Sequence, residues 1–129
     1  MNVQKDKKTN VLLYQIKTFL FAFNGIIAFF RSERKSYIHL TAALVAVALG
    51  WYFHISLTEW MFVSVAIGMV FITELFNTIA ELMADLIHPE THKKVGDLKD
   101  MAAAAVLIAS IVALIIGLIV FVPEIIAQF

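Results

Sequence analysis

From Met101 to Val122 the chain contains no charged residue and no proline, and Pro123 closes the run. A helix rises about 1.5 Å per residue, so about 20 apolar residues cross the hydrocarbon core of a bilayer. A run of this length and purity leaves little choice but a transmembrane helix. Its small residues, Ala102 to Ala105, Ser110 and Gly117, allow another helix to approach closely. Two further stretches read the same way. Tyr37–Thr58 is uncharged, while Trp60–Ile87 is apolar as far as Thr73 and keeps a helical pattern until Pro89 ends it. The expected fold class is therefore all-α and integral to a membrane, a single domain over 1–129 with transmembrane helices at 37–58, 60–87 and 101–122. Composition agrees: 61% of residues are hydrophobic and 16% charged, with a mean hydropathy of +0.87. A soluble globule is roughly half apolar.

The N-terminal segment is of another kind. Met1–Thr9 is polar and expected to be disordered. Between 10 and 31, Asn10, Lys17, Asn24 and Arg31 recur every seven residues among Leu, Ile and Phe. Each seven-residue step drifts by only about 20° around a helix, so the four form one narrow stripe. An amphipathic helix lying in the headgroup region fits this pattern, with a fourth spanning helix as the alternative. A cleaved signal peptide is not expected, because Lys17 interrupts the apolar core and no small-x-small site follows.

Ten Lys and Arg balance ten Asp and Glu. That balance argues against a nucleic-acid binder, and the absence of cysteine excludes disulfides and thiolate metal sites. Position matters more than the sum. The cations lie before the first span or between the second and third, whereas the Phe53–Glu59 turn and the C-terminal tail have none. The positive-inside rule then places the N-terminus and all cations in the cytoplasm.

The chemistry is concentrated on the second span. Glu74, Asn77, Glu81 and Asp85 are spaced by 3, 4 and 4, which gathers them into an arc of about 80° on a helical wheel. Carboxylates in hydrocarbon are costly, and these also repel one another, so the stripe needs cations, metal or protons. A helix end that simply emerges into water is the plainer reading, but Leu75, Phe76, Ile79, Leu82, Met83, Leu86 and Ile87 keep the other faces apolar. Glu33 at the mouth of the first span, and Asp97, Lys99 and Asp100 before the third, fall at the same membrane face. Oxygen ligands from several helices suit a hard cation such as Mg²⁺ together with phosphate oxygens, and Lys99 adds a cation for phosphate. Glu74 follows the apolar run directly, while Glu81 lies about 10 Å nearer the cytosol. Carboxylates withdrawn from water bind protons more tightly, which suits a base acting on a poorly acidic hydroxyl. Depth therefore suggests Glu74 for a lipid hydroxyl and Glu81 for a metal carrying nucleotide. His39 and His54 read as interfacial residues, His88 as a loop residue, and Trp51, Tyr52 and Trp60 as an outer aromatic belt. Neither of the usual glycine-rich phosphate loops is present.

The run Glu74-Leu-Phe-Asn77-Thr-Ile-Ala-Glu81-Leu-Met-Ala-Asp85, followed by Lys99-Asp100-Met-Ala-Ala-Ala-Ala-Val-Leu-Ile, resembles the bacterial diacylglycerol kinase family, which includes undecaprenol kinases. The likeness extends from about Phe23 to Val120. It implies a homotrimer of three-span subunits, each with an amphipathic surface helix, and composite active sites at the cytoplasmic face of the cell membrane. It also implies Glu74 as proton acceptor, Glu33 and Glu81 as ligands of Mg²⁺ carrying ATP, and Asn77, Glu90, His92, Lys99 and Asp100 near the nucleotide. Asn24 and the Gly96-Asp97-Leu98 run depart from the family pattern.

The expected function is that of an ATP-dependent lipid kinase acting on diacylglycerol or undecaprenol. A proton- or cation-coupled membrane protein using Glu74, Glu81 and Asp85 as a relay is the alternative, and a structural subunit packed through its alanines is a third reading.

Overall fold

A computed structural model describes residues 3–32, 35–87 and 93–128. It contains four helices: α1 (Val3–Ser32), α2 (Lys35–Phe53), α3 (Leu57–Ile87) and α4 (Lys93–Ile126). The described residues contain no strand, as the all-α expectation required. Each helix is long and apolar enough to cross a membrane, α1 over Leu13–Arg31. The chain divides into two compact units, Met1–Arg34 and Lys35–Phe129.

The first unit is α1 alone. Its helix begins at Val3 rather than Asn10, so residues 3–9 are helical and not the disordered tail expected of them. The run is unbroken through Lys17, Asn24 and Arg31, all exposed, which places these positions on one face. Phe19, Phe21 and Phe23 are also exposed. A helix with this much bare apolar surface calls for lipid around it.

In the second unit α3 packs along α4, and α2 joins them through the turn at residues 54–56. Ile55, Val63, Val120 and Phe121 form the buried cluster at that end, with Leu49, Phe53, Trp60 and Ile116 packed around it. The turn explains why α2 stops at Phe53 and not at Thr58. His54 takes a left-handed conformation, φ 54°. The Ile55 N–H then reaches back to Gly50 O at 3.2 Å, and that of His54 to Trp51 O at 3.4 Å. This is the Schellman closure of a helix, with histidine where glycine is usual. Ser56 immediately opens α3. Its N–H donates to Glu59 Oε2 at 2.7 Å while its Oγ accepts from the Glu59 N–H at 3.3 Å, a reciprocal capping box. Gly50 is required by close approach, since a Cβ there would stand 2.8 Å from the Trp60 ring and 3.1 Å from Ile55 Cδ1.

The boundaries of α4 also differ from the sequence reading. Lys93–Asp100, expected as loop, forms its first turns, because charge alone does not break a helix. At the other end α4 continues past Pro123 to Ile126. Proline withdraws one N–H from the ladder, but its carbonyl still accepts from the Ala127 N–H at 3.0 Å, so the last turn closes.

Candidate active site

The stripe on α3 is a gradient of burial. Glu74 is 3% exposed and Asn77 6%. Glu81 is half-buried, and the Asp85 side chain is 68% exposed. Helical periodicity sets the common face, and the packing of α3 within the second unit sets how far each position is buried. For Glu74 and Glu81, burial within the protein falls with distance from the apolar run that precedes Glu74.

Asn77 and Glu81, one turn apart, are linked: the Asn77 Nδ2 donates to Glu81 Oε1 at 3.2 Å. The Asn77 Oδ1 is buried and has no hydrogen-bond partner among the described residues. A buried amide oxygen left this way costs about 1–3 kcal/mol, so it is suited to an incoming donor or cation. Thr78 spends its hydroxyl on the Glu74 backbone carbonyl at 3.0 Å, which leaves the Glu74 carboxylate to other partners. Among the described residues, Nε2 of His39 on α2 is the basic atom nearest the carboxylate, 3.9 Å from Glu74 Oε1.

At the exposed end, Lys99 of α4 meets Asp85 of α3, Nζ to Oδ1 2.5 Å. This contact depends on Lys93–Asp100 being helix, because a helical Lys99 projects from the first turns of α4 toward α3. Asp100 and Asp97 are exposed on the same helix. Glu33, Glu90 and His92 lie outside the described residues.

The described residues include no group of three or more His, Asp or Glu able to hold a metal ion. The oxygen donors that are present, the Glu81 carboxylate and the free Asn77 Oδ1, match the chemistry of Mg²⁺, which takes one or two protein carboxylates and completes its shell with phosphate and water.

Between α2, α3 and α4 lies a cavity of about 430 Å³. His39 and Ser110 are polar in its wall, and the rest is apolar, including Ala46, Ala66, Leu114 and Phe121. Sequence reasoning missed two features here. His39, expected at the membrane interface, also faces Glu74 and the cavity, a contact the sequence does not signal. The partner of Lys99 was also unforeseen. The available signal is a pair of opposite charges, Asp85 and Lys99, on either side of Pro89 in the sequence.

Residues 20–121 match the family described as prokaryotic diacylglycerol kinase. The chain is 37% identical over 120 residues to an undecaprenol kinase of Bacillus subtilis (strain 168), covering 93% of this chain and 97% of that protein. It is 32% identical over 100 residues to a diacylglycerol kinase of Escherichia coli (strain K12), covering 78% and 82% respectively. A diacylglycerol kinase of Synechocystis sp. is 29% identical over 101 residues, 78% of this chain and 58% of that protein.

Proposed function

Because the chain belongs to the prokaryotic diacylglycerol kinase family, we propose that it transfers the γ-phosphate of Mg·ATP to the hydroxyl of a membrane lipid alcohol. It is a lipid kinase with membrane helices. Undecaprenol is the first candidate and diacylglycerol the second, since similarity to the undecaprenol kinase is higher and extends over more of the chain. The observation that carries the reading is the burial gradient on α3. One carboxylate, Glu74, is buried within the protein while a second, Glu81, is only half-buried, which supports a base role for the first and a metal and nucleotide role for the second.

In this reading Glu74 takes the proton of the lipid hydroxyl. The acceptor oxygen forms its bond to the γ-phosphorus as the bond from that phosphorus to the bridging oxygen breaks, and ADP leaves with the electron pair. Glu81 and Glu33 would hold Mg²⁺, which when bound offsets the charge of the phosphates. Asn77, Lys99, Asp100, Glu90 and His92 would contact the nucleotide, the free Oδ1 of Asn77 being available to it. Positioning and charge neutralisation supply the catalysis, with no covalent enzyme intermediate. The assembly would be a homotrimer in the cytoplasmic membrane, with α1 on the inner surface, the N-terminus in the cytoplasm and the sites at the cytoplasmic face. The proton-relay alternative is weaker: Asp85, the last carboxylate of the stripe, is exposed and engaged by Lys99.

The test offers undecaprenol and diacylglycerol in parallel mixed micelles to purified protein with γ-labelled ATP. Label should enter lipid, and Glu74→Gln should reduce transfer by about 100-fold or more, the scale of general-base catalysis. Absence of label in both lipids, or full activity in both Glu74→Gln and Glu81→Gln, would overturn the reading.

A further inference from the structure

We infer that His39 belongs to the acceptor site and orients the lipid hydroxyl against Glu74. The inference deepens the kinase reading and rests on it. Three observations converge on this histidine. The first is spacing. The 3.9 Å between His39 Nε2 and Glu74 Oε1 exceeds a direct N–H···O bond, which spans about 2.7–3.2 Å, and it suits one oxygen bonded to both. The second is access. Glu74 is 3% exposed and His39 22%, so of the two the imidazole is the more open to an approaching group.

The third observation is the wall on which His39 sits. It lines the cavity of about 430 Å³ between α2, α3 and α4, in which Ser110 is the other polar side chain. Cavities of this size are on the scale of ligand sites, which are typically apolar with a few placed polar groups. A molecule that is alkyl along its length and ends in a hydroxyl fits that distribution. Its chain lies against residues such as Ala46, Ala66 and Leu114, and its hydroxyl arrives at His39.

The chemistry follows from the two contacts. The Nε2–H of His39 donates to the acceptor oxygen, while the hydroxyl of the acceptor donates to Glu74 Oε1. When the O–H bond breaks, its proton stays on Glu74. A second lone pair of the oxygen forms the bond to the γ-phosphorus, and the phosphorus–oxygen bond to the leaving nucleoside diphosphate breaks. Held at both ends of the pair, the oxygen keeps one lone pair directed at the phosphorus.

The experiment compares wild type, His39→Gln and His39→Leu in the mixed-micelle assay with undecaprenol and with diacylglycerol, and measures thermal unfolding of each variant in the same detergent. Glutamine retains an N–H donor, and leucine retains only bulk. The expected result is a loss of about 10- to 100-fold in kcat/KM for the lipid in His39→Leu, the effect of removing one hydrogen bond to a reacting group. His39→Gln should recover a substantial part of that loss, and the KM for ATP should not move. Wild-type kcat/KM for lipid in His39→Leu would overturn the inference and leave the kinase reading standing. Equal losses in both variants, tracking a fall in unfolding temperature, would also overturn it, because the histidine would then be structural. A wild-type protein that labels neither lipid would overturn the kinase reading and this inference together.

Discussion

Adding one methyl group at Gly50 tests the packing at the α2–α3 turn. A Cβ at this position would lie 2.8 Å from two atoms of the Trp60 ring and 3.1 Å from Ile55 Cδ1. The ring is held on two sides: Trp51 packs edge-on against it with centroids 6.4 Å apart, and the ring itself lies against the buried cluster. Overpacking of this kind costs about 1–3 kcal/mol. Against it stands the gain of replacing glycine by alanine inside a helix, about 1 kcal/mol. Gly68 on α3 supplies the control, since a Cβ there meets nothing within 4 Å. The propensity gain is common to both positions, so the difference between Gly50→Ala and Gly68→Ala isolates the steric cost. Gly50→Ala should be the less stable by about 1–3 kcal/mol. Reversible unfolding in mixed micelles, followed by helical circular dichroism under increasing denaturant, measures that difference. Equal stabilities, or a Gly50→Ala variant more stable than Gly68→Ala, would refute the packing described for the turn.

Three other perturbations probe different parts of the molecule. Asn77→Ala removes both the bond to Glu81 and the buried Oδ1, and should lower kcat/KM for Mg·ATP by about 10- to 100-fold; steady-state kinetics with ATP as the varied substrate would show it. Ser56→Ala opens the capping box and should lower unfolding free energy by about 1 kcal/mol while leaving the KM for ATP unchanged. For the pair Asp85 and Lys99, a double-mutant cycle with Asp85→Asn and Lys99→Met should give a coupling energy below about 1 kcal/mol, because both side chains are more than a third exposed; a much larger coupling would show that the pair is shielded from water.

What the sequence made legible depended on local periodicity. The Met101–Val122 run and the spacing of Glu74, Asn77, Glu81 and Asp85 both follow from 3.6 residues per turn, and neither needs knowledge of a neighbouring helix. The contacts of His39 with Glu74, and of Lys99 with Asp85, depend on how two helices are rotated about their own axes. One sequence without a partner helix does not fix that rotation. The ends of helices failed for a different reason. The Ser56-x-x-Glu59 pattern at the start of α3 is a short signal at the edge of an uncharged stretch whose length alone favours a helix through Thr58. At Lys93–Asp100 the opposite holds: a cluster of charges reads as loop, yet its residues are compatible with helix and form the first turns of α4. Glu33, Glu90 and His92 lie outside the described residues, so their proposed roles rest on the resemblance of the sequence motifs.

The gradient on α3 has a consequence for the lipid around the protein. From Glu74 to Asp85 the helix rises about 16 Å, and over that rise exposure climbs from 3% to 68%. These carboxylates are fixed to one rigid rod, while the boundary between hydrocarbon and water is set by the bilayer. A membrane a few ångströms thicker would move that boundary up the rod toward Glu81, and a thinner one would wet the approach to Glu74. Hydrophobic mismatch of this size is met by tilt or by local deformation of the lipid, each at modest cost. On the proposed reading, wetting of the approach to Glu74, and with it turnover, is expected to vary with the thickness of the membrane whose lipids the protein phosphorylates.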